Sequence, residues 1–365
     1  MLNAARARSV RLFAMAVALV TGLGGVAELA AAATTKTSGA SGTRATTKSS
    51  TTRRATTKKK KRATYSRRRA SSRRARLARA RAARYARDMR RLATPQFKTD
   101  ENGQLVPDVR AAAAVIYNPT TREIIFQENA DDTRSIASIT KVMTAVVFLE
   151  NEFDLAREIV VDPVDVRGAS TTYLRGSERL SADDLVHLLL VASDNAAART
   201  LARNSPYGPA GFIVRMNEKA TELGLDHTRY ADPSGLDSGN VSSALDMARL
   251  IAFAAADERI GRVMQKPQHT ISTSRRTLTF NNTNRLLKSD DVAVVGGKTG
   301  FIRSSGYCLA TLLRLPQTND EVAVVVLGAR SNAGRFMETK HLLNWITAKA
   351  QLFGVSGQPQ NIPHE

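Results

Sequence analysis

The chain of 365 residues is poor in the residues that staple small proteins or hold metals. It has one cysteine, Cys308, so no intrachain disulfide forms and no cysteine-based zinc or iron–sulfur site exists. Its five histidines, at 187, 227, 269, 341 and 364, show no ligand spacing, and no metal or other cofactor is expected. There is a single tryptophan, Trp345. Long apolar runs are also missing. Leu12–Val20 is apolar and 21–27 continues it weakly, which falls short of the ~18–20 residues a membrane span needs. Acidic residues are absent from one region above all. Residues 34–92 hold 22 Lys+Arg and one acid, Asp88, whereas 93–365 hold 29 basic and 31 acidic residues. The formal net charge of +21 therefore belongs to a segment, which excludes a uniformly basic protein.

What is present divides the chain. Arg6, Arg8 and Arg11, the short apolar run and the small residues 30–33 read as a secretory signal peptide over 1–33, with a retained membrane anchor as the alternative. Residues 34–92 form a basic low-complexity tail. Its first part, rich in Thr, Ser, Ala and Lys, has no apolar periodicity with which to build a core. Its second part, 67–92, is Arg/Ala-rich and therefore helix-prone, and Tyr85, Met89 and Leu92 make a short stripe at its end. This tail is either a solvated spacer or an attachment to an anionic envelope polymer or lipid headgroup. Export moves it away from nucleic acid, which is not the expected partner.

A folded domain is expected over 93–353, with a short C-terminal tail at 354–365. Strand patterns lie at both ends of this domain: 111–117 and 123–127 around an Asn118-Pro119-Thr120 turn, then 292–295, 307–313 and 321–327. Between them lie helical patterns at 139–150, 182–192, 195–203, 211–223 and 244–255, with a last helix at 335–350. Short strand connections imply antiparallel pairing. The expected fold class is α+β, an antiparallel sheet built from both ends of the domain and covered by helices.

Three short motifs carry chemistry. Ser138-Ile139-Thr140-Lys141 opens a helical run that is apolar nearly all round and hence buried. Positions i and i+3 share a face, so the Lys141 amine reaches the Ser138 hydroxyl. Burial and the positive helix end disfavour the ammonium, and a neutral lysine takes the serine proton. Ser193-Asp194-Asn195 offers a hydroxyl for proton relay and an amide for a substrate carbonyl, although such clusters are also ordinary helix caps. Lys298-Thr299-Gly300 follows the strand pattern at 292–295. It offers a cation, a hydroxyl and a glycine that lets a ligand approach the strand.

The order and spacing of these motifs, 55 and 105 residues apart, resemble the active-site-serine set of penicillin-binding proteins and β-lactamases. Ala137–Ala145, the stretch from Met216 to Leu225, Asp232-Pro233-Ser234-Gly235-Leu236, Asn240–Ala244 with Asp246, and Lys298–Gly306 resemble the low-molecular-mass D-alanyl-D-alanine carboxypeptidases and endopeptidases. Tyr307-Cys308-Leu309 and the lack of a following β-rich domain resemble most the penicillin-binding protein 7 type of endopeptidase. The resemblance implies a periplasmic serine DD-peptidase acting on peptidoglycan and acylated by β-lactams. It implies Ser138 as nucleophile, Lys141 as base and Ser193 in proton delivery. It also implies backbone N–H groups of Ser138 and Phe301 as oxyanion hole, and Asn195, Lys298, Thr299 and Gly300 on the substrate. Arg335, or alternatively Arg330, is a candidate for a substrate carboxylate. Endopeptidase and carboxypeptidase activity remain alternatives. A β-lactamase is a lesser one, because Glu218, Glu222 and Glu258 lie outside a Glu-x-x-Leu-Asn pattern, as is a non-catalytic wall-binding protein.

Overall fold

A computed structural model describes residues 73–354, with side chains to 349. The expected signal peptide (1–33), the first part of the tail and the C-terminal residues beyond 354 lie outside the described residues. In chain order the elements are helix α1 (73–93), the hairpin β1 (Phe97–Thr99) and β2 (Leu105–Pro107), and the hairpin β3 (Ala113–Tyr117) and β4 (Ile124–Glu128). The short β5 (Arg134–Ser135) leads into a 3₁₀ turn (Ala137–Ile139) and α2 (Thr140–Leu149). Then come β6 (Glu158–Val160), α3 (Pro163–Val166), β7 (Arg179–Ser181) and α4 (Ala182–His187), continued by a π turn (Leu188–Ala192). Helices α5 (Asn195–Asn204) and α6 (Gly208–Glu222) precede β8 (Val241–Ser242), α7 (Ala244–Ala256) and α8 (Glu258–Met264). The chain closes with β9 (Gln268–Ser272), β10 (Thr277–Asn281), a 3₁₀ turn (Arg285–Lys288), β11 (Ala293–Ile302), β12 (Gly306–Arg314), β13 (Glu321–Ala329) and α9 (Asn332–Gly354).

The main sheet has the order β11-β12-β13-β3-β4, antiparallel throughout. Strand β13 pairs with β3, Val325 opposite Val115, so the two ends of the domain meet in the sheet centre. This is the α+β architecture expected from the sequence. Every residue of β3 is buried, as is nearly all of β13, which is why both read as unbroken apolar runs rather than alternating ones. Successive residues still go to opposite layers. Ala113, Val115 and Tyr117, with Ala323, Val325 and Leu327, join α2 and α7 in one core. Ala114 and Ile116, with Val322, Val324 and Val326, join Phe336, Leu342, Leu343 and Ile346 of α9 in the other.

The helical layer is built locally. All ten residues of α2 are buried, Lys141 included. Side chains cap the entries to α4, α5 and α7: Ser181 accepts from Asp184 N, Asp194 from Ala197 N and Ser243 from Asp246 N. The pattern at 182–192 is two elements, because the helix widens into a π turn at Leu188 and stops at Ser193, whose φ of 61° is left-handed. The pattern at 292–295 is also incomplete, since β11 runs on to Ile302 and takes Lys298-Thr299-Gly300 into the sheet edge. Three glycines and two polar residues hide that strand from propensity reasoning.

Over the described residues the Arg/Ala-rich stretch is the helix α1. Its stripe is partial: Met89 and Leu92 are half-buried and Tyr85 is exposed. Thr94 and Ala93 carbonyls accept from Arg110 and from the His341 ring, which ties the end of α1 to β3 and α9.

Candidate active site

Three segments converge on Ser138. The first is the 3₁₀ turn and α2. The turn holds Ala137 at φ 50°, and Lys141 follows one turn after Ser138. Burial lowers the Lys141 pKa from 10.5 to about 7, against the opposing charges of Asp232 and Asp194 and with help from Arg199. Its Nζ donates to Ser138 Oγ at 2.9 Å, to Asn195 Oδ1 at 2.6 Å and to the Ser234 carbonyl. An ammonium fills all three acceptors. A neutral amine keeps the two bonds to Asn195 and Ser234 and turns its lone pair to the serine proton, so the same geometry serves both protonation states.

The second segment is the Ser193 loop. Asp194 caps α5 through Ala197 N and also accepts from Thr172 Oγ1 and Tyr173 N, so the preceding loop is clamped to the motif. Desolvation pushes the Asp194 carboxyl up. Asn195 is occupied at both ends, with Oδ1 on Lys141 and Nδ2 donating to Ala169 O at 2.7 Å. The cap reading and the site reading of this motif thus hold at once, one for Asp194 and one for its neighbours.

The third segment is β11. Lys298 is fully buried and donates from Nζ to Ser193 Oγ at 2.7 Å. Thr299 Oγ1 donates to Thr283 Oγ1 at 2.7 Å. Lys298 was expected to supply a fixed positive charge. Burial works against that, lowering its pKa well below the usual lysine range, with Lys141 and Arg335 repelling the charge further. Gly300 has a steric reason: a Cβ there would lie 2.5 Å from Ile136 O and 3.2 Å from Ser138 N. The strand therefore passes against the turn that carries Ser138. Phe301 is half-exposed and stacks on Tyr307 at 4.2 Å.

Ser138, Ser193, Asn195, Thr299, Gly300, Phe301 and Arg335 line one open cleft of about 540 Å³, with Ser170, Thr171 and Leu236 on its rim. The two arginine alternatives separate. Arg335 lines this cleft and Arg330 lines a different cavity. Arg335 is largely buried and already donates to Gly300 O at 2.9 Å, Cys308 O at 3.1 Å and Asn332 Oδ1 at 2.7 Å. It braces β11 against β12, and desolvation lowers its pKa to about 10. Glu218 and Glu222 sit on α6, paired with Arg215, and Glu258 pairs with Arg262, so none of the three lines the cleft.

The string at Asp232–Gly235 carries part of the family resemblance, but its role at the site was not legible in the sequence. Asp232 accepts from Ser234 Oγ and from Gly235 N, which aims the Ser234 carbonyl at Lys141, and the Pro233 carbonyl accepts from Thr144 Oγ1 at 2.6 Å. Gly235, at φ 78°, has no room for a side chain: a Cβ would meet Ala137 O at 2.1 Å. The available signal was the Asp-Pro-Ser-Gly string, which marks a tight turn but not its target. Thr283, whose N–H donates to Val191 O, was missed as well, because nothing local distinguishes it. Among the described residues no group of His, Cys, Asp or Glu is arranged to hold a metal ion.

A family described as D-alanyl-D-alanine carboxypeptidase matches residues 99–331. The chain is 34% identical over 244 residues to a D-alanyl-D-alanine endopeptidase of Escherichia coli (strain K12), covering 66% of this chain and 78% of the relative. It is 31% identical over 257 residues to the D-alanyl-D-alanine carboxypeptidase DacC of the same organism, covering 66% of this chain and 62% of the relative. Among solved structures, the Streptomyces K15 DD-transpeptidase superposes with a TM-score of 0.63 at 26% identity, over 66% of this chain and 98% of that one.

Proposed function

The chain belongs to the D-alanyl-D-alanine carboxypeptidase family, and from that membership we propose that it is a serine DD-peptidase cutting peptide cross-links of peptidoglycan. Ser138 Oγ attacks the carbonyl of the penultimate D-alanine while its proton passes to neutral Lys141. The developing oxyanion sits between the backbone N–H groups of Ser138 and Phe301. Ser193, bonded to Lys298, relays the proton taken up by Lys141 to the departing amine and keeps its own hydroxyl, which leaves an ester on Ser138. Water hydrolyses that ester and regenerates the hydroxyl. Asn195 holds Lys141 in place. Thr299, Gly300 and Arg335 shape the edge of β11 along which the substrate strand lies. β-Lactams present the same acyl centre and acylate Ser138.

The observation that carries this reading is the burial of Lys141 one turn after Ser138, with its amine 2.9 Å from the serine hydroxyl. The test is digestion of purified sacculi and of defined muropeptides by wild type and by Ser138→Ala. Loss of cross-linked dimers in the wild type alone supports the endopeptidase. Conversion of pentapeptide to tetrapeptide stems supports the second reading, a carboxypeptidase, which the similarity to DacC favours. Rapid turnover of a penicillin, instead of a lasting adduct, points to a β-lactamase.

The N-terminal sequence supports export to the periplasm, where peptidoglycan lies. The basic segment before the domain supports electrostatic attachment to an anionic envelope polymer or lipid. Co-sedimentation with cell walls or vesicles across a salt series tests this, and salt-independent binding refutes it.

A further inference from the structure

The end of α1, the approach to β3 and the β13–α9 junction enclose a cavity of about 350 Å³ separate from the Ser138 cleft. Four guanidinium side chains line it: Arg84 and Arg91 from α1, Arg110 before β3, and Arg330 from the junction. Two carboxylates, Asp88 and Glu338, are the only acids on its wall. Arg110 is engaged, lying 3.8 Å from Glu338 and donating to Gln96 and to Thr94 O. Among the described residues the guanidinium groups of Arg84, Arg91 and Arg330 make no hydrogen bond or ion pair. Asp88 sits within a turn of both α1 arginines and pairs with neither. Three unpaired cations and the single unpaired carboxylate of Asp88 leave the recess with an excess of positive charge that attracts an anion.

We propose that this cavity is a binding site for a phosphate or phosphodiester group. Guanidinium forks match phosphate oxygens and hold them by paired charge-assisted bonds, and free forks arriving from two chain segments suit a tetrahedral anion better than a planar carboxylate. The cavity has room for more than one phosphate group, and Leu92, Ala111 and Gly334 line it beside the arginines. It therefore accepts the neighbouring units of a phosphate-linked polymer or the head of a phospholipid. This goes beyond general attraction by the tail, because it assigns the effect to particular arginines. It does not depend on the peptidase reading.

The test is calorimetric titration of the full chain with a polyol-phosphate oligomer and, separately, with phosphatidylglycerol vesicles. Arg84→Gln/Arg91→Gln is compared with Arg73→Gln/Arg76→Gln, which removes equal charge from the same helix outside the cavity. The expected result is saturable binding, weakened about tenfold in the first pair and less than twofold in the second. Arg330→Gln, which lies off α1, repeats the loss and excludes helix unwinding as its cause. Selective loss with the oligomer names a polymer as the source of the phosphate, and selective loss with vesicles names a lipid. Equal weakening by both pairs, or no saturable binding of either probe, overturns the proposal.

Discussion

Asp232→Asn shifts the acid limb of Ser138 acylation to lower pH. An ordinary lysine is unprotonated in about one molecule in 3,000 at pH 7. Lys141, lowered to about 7, is half neutral there. The supply of base is greater by about three orders of magnitude, on the order of 4 kcal/mol toward the acylation barrier. Burial sets that value, and Asp232 is the foremost charge opposing it. Removing the carboxylate takes away an attraction that favours the ammonium, so the Lys141 pKa falls further. A unit charge roughly 7 Å away at an effective dielectric of ~20 amounts to about 2.4 kcal/mol, or nearly two pH units. Asparagine keeps one oxygen for the Gly235 N–H, so the loop retains an anchor. The assay is the second-order rate of labelling by a fluorescent penicillin from pH 5 to 9. The rate of the wild type rises through pH 7, and that of Asp232→Asn rises nearly two units earlier. A wild-type limb near pH 10, or a variant limb displaced to alkaline pH, refutes the reasoning. The same burial has a stability signature. Between pH 7 and 10.5 the unfolded lysine binds more protons than the folded one, so this contribution to stability rises with pH over that window. Melting temperature therefore climbs from pH 7 to 9, and Lys141→Met flattens the climb. Some slope survives, because Lys298 is lowered in the same direction.

Gly235→Ala costs about 2–4 kcal/mol and abolishes acylation, since its Cβ would stand 2.1 Å from Ala137 O beside Ser138. Gly103→Ala, with a similar φ of 75° and nothing within 4 Å, costs only about 1 kcal/mol in the same denaturant titration. Ser193→Ala removes the hydroxyl that accepts from Lys298, and penicillin labelling slows about 10²-fold while the melting temperature changes little. Arg335→Met leaves the carbonyls of Gly300 and Cys308 without their buried donor, so unfolding free energy drops by about 2–4 kcal/mol and labelling slows together with it.

Much of the molecule was legible because the controlling signals are local. The apolar runs at 113–117 and 321–329 are central strands, since a strand buried on both faces needs no polar alternation. The apolar surround of Lys141 announced a buried helix, and burial of an amine fixes the direction of its pKa without any knowledge of neighbours. The relative placement of motifs 55 and 105 residues apart was not local. Only the packing of β11 against the 3₁₀ turn brings Gly300 to Ser138, and only the Asp232–Gly235 loop supplies the third acceptor for Lys141. The choice between Arg335 and Arg330 was likewise undecidable from sequence, because only five positions of chain, at the entry to α9, separate a cleft from another cavity. The basic tail shows the same division. Its composition determined its charge and its helical tendency. The tertiary structure decided which arginines of α1 meet Arg330 in one cavity, because side-chain convergence depends on the path of the whole chain.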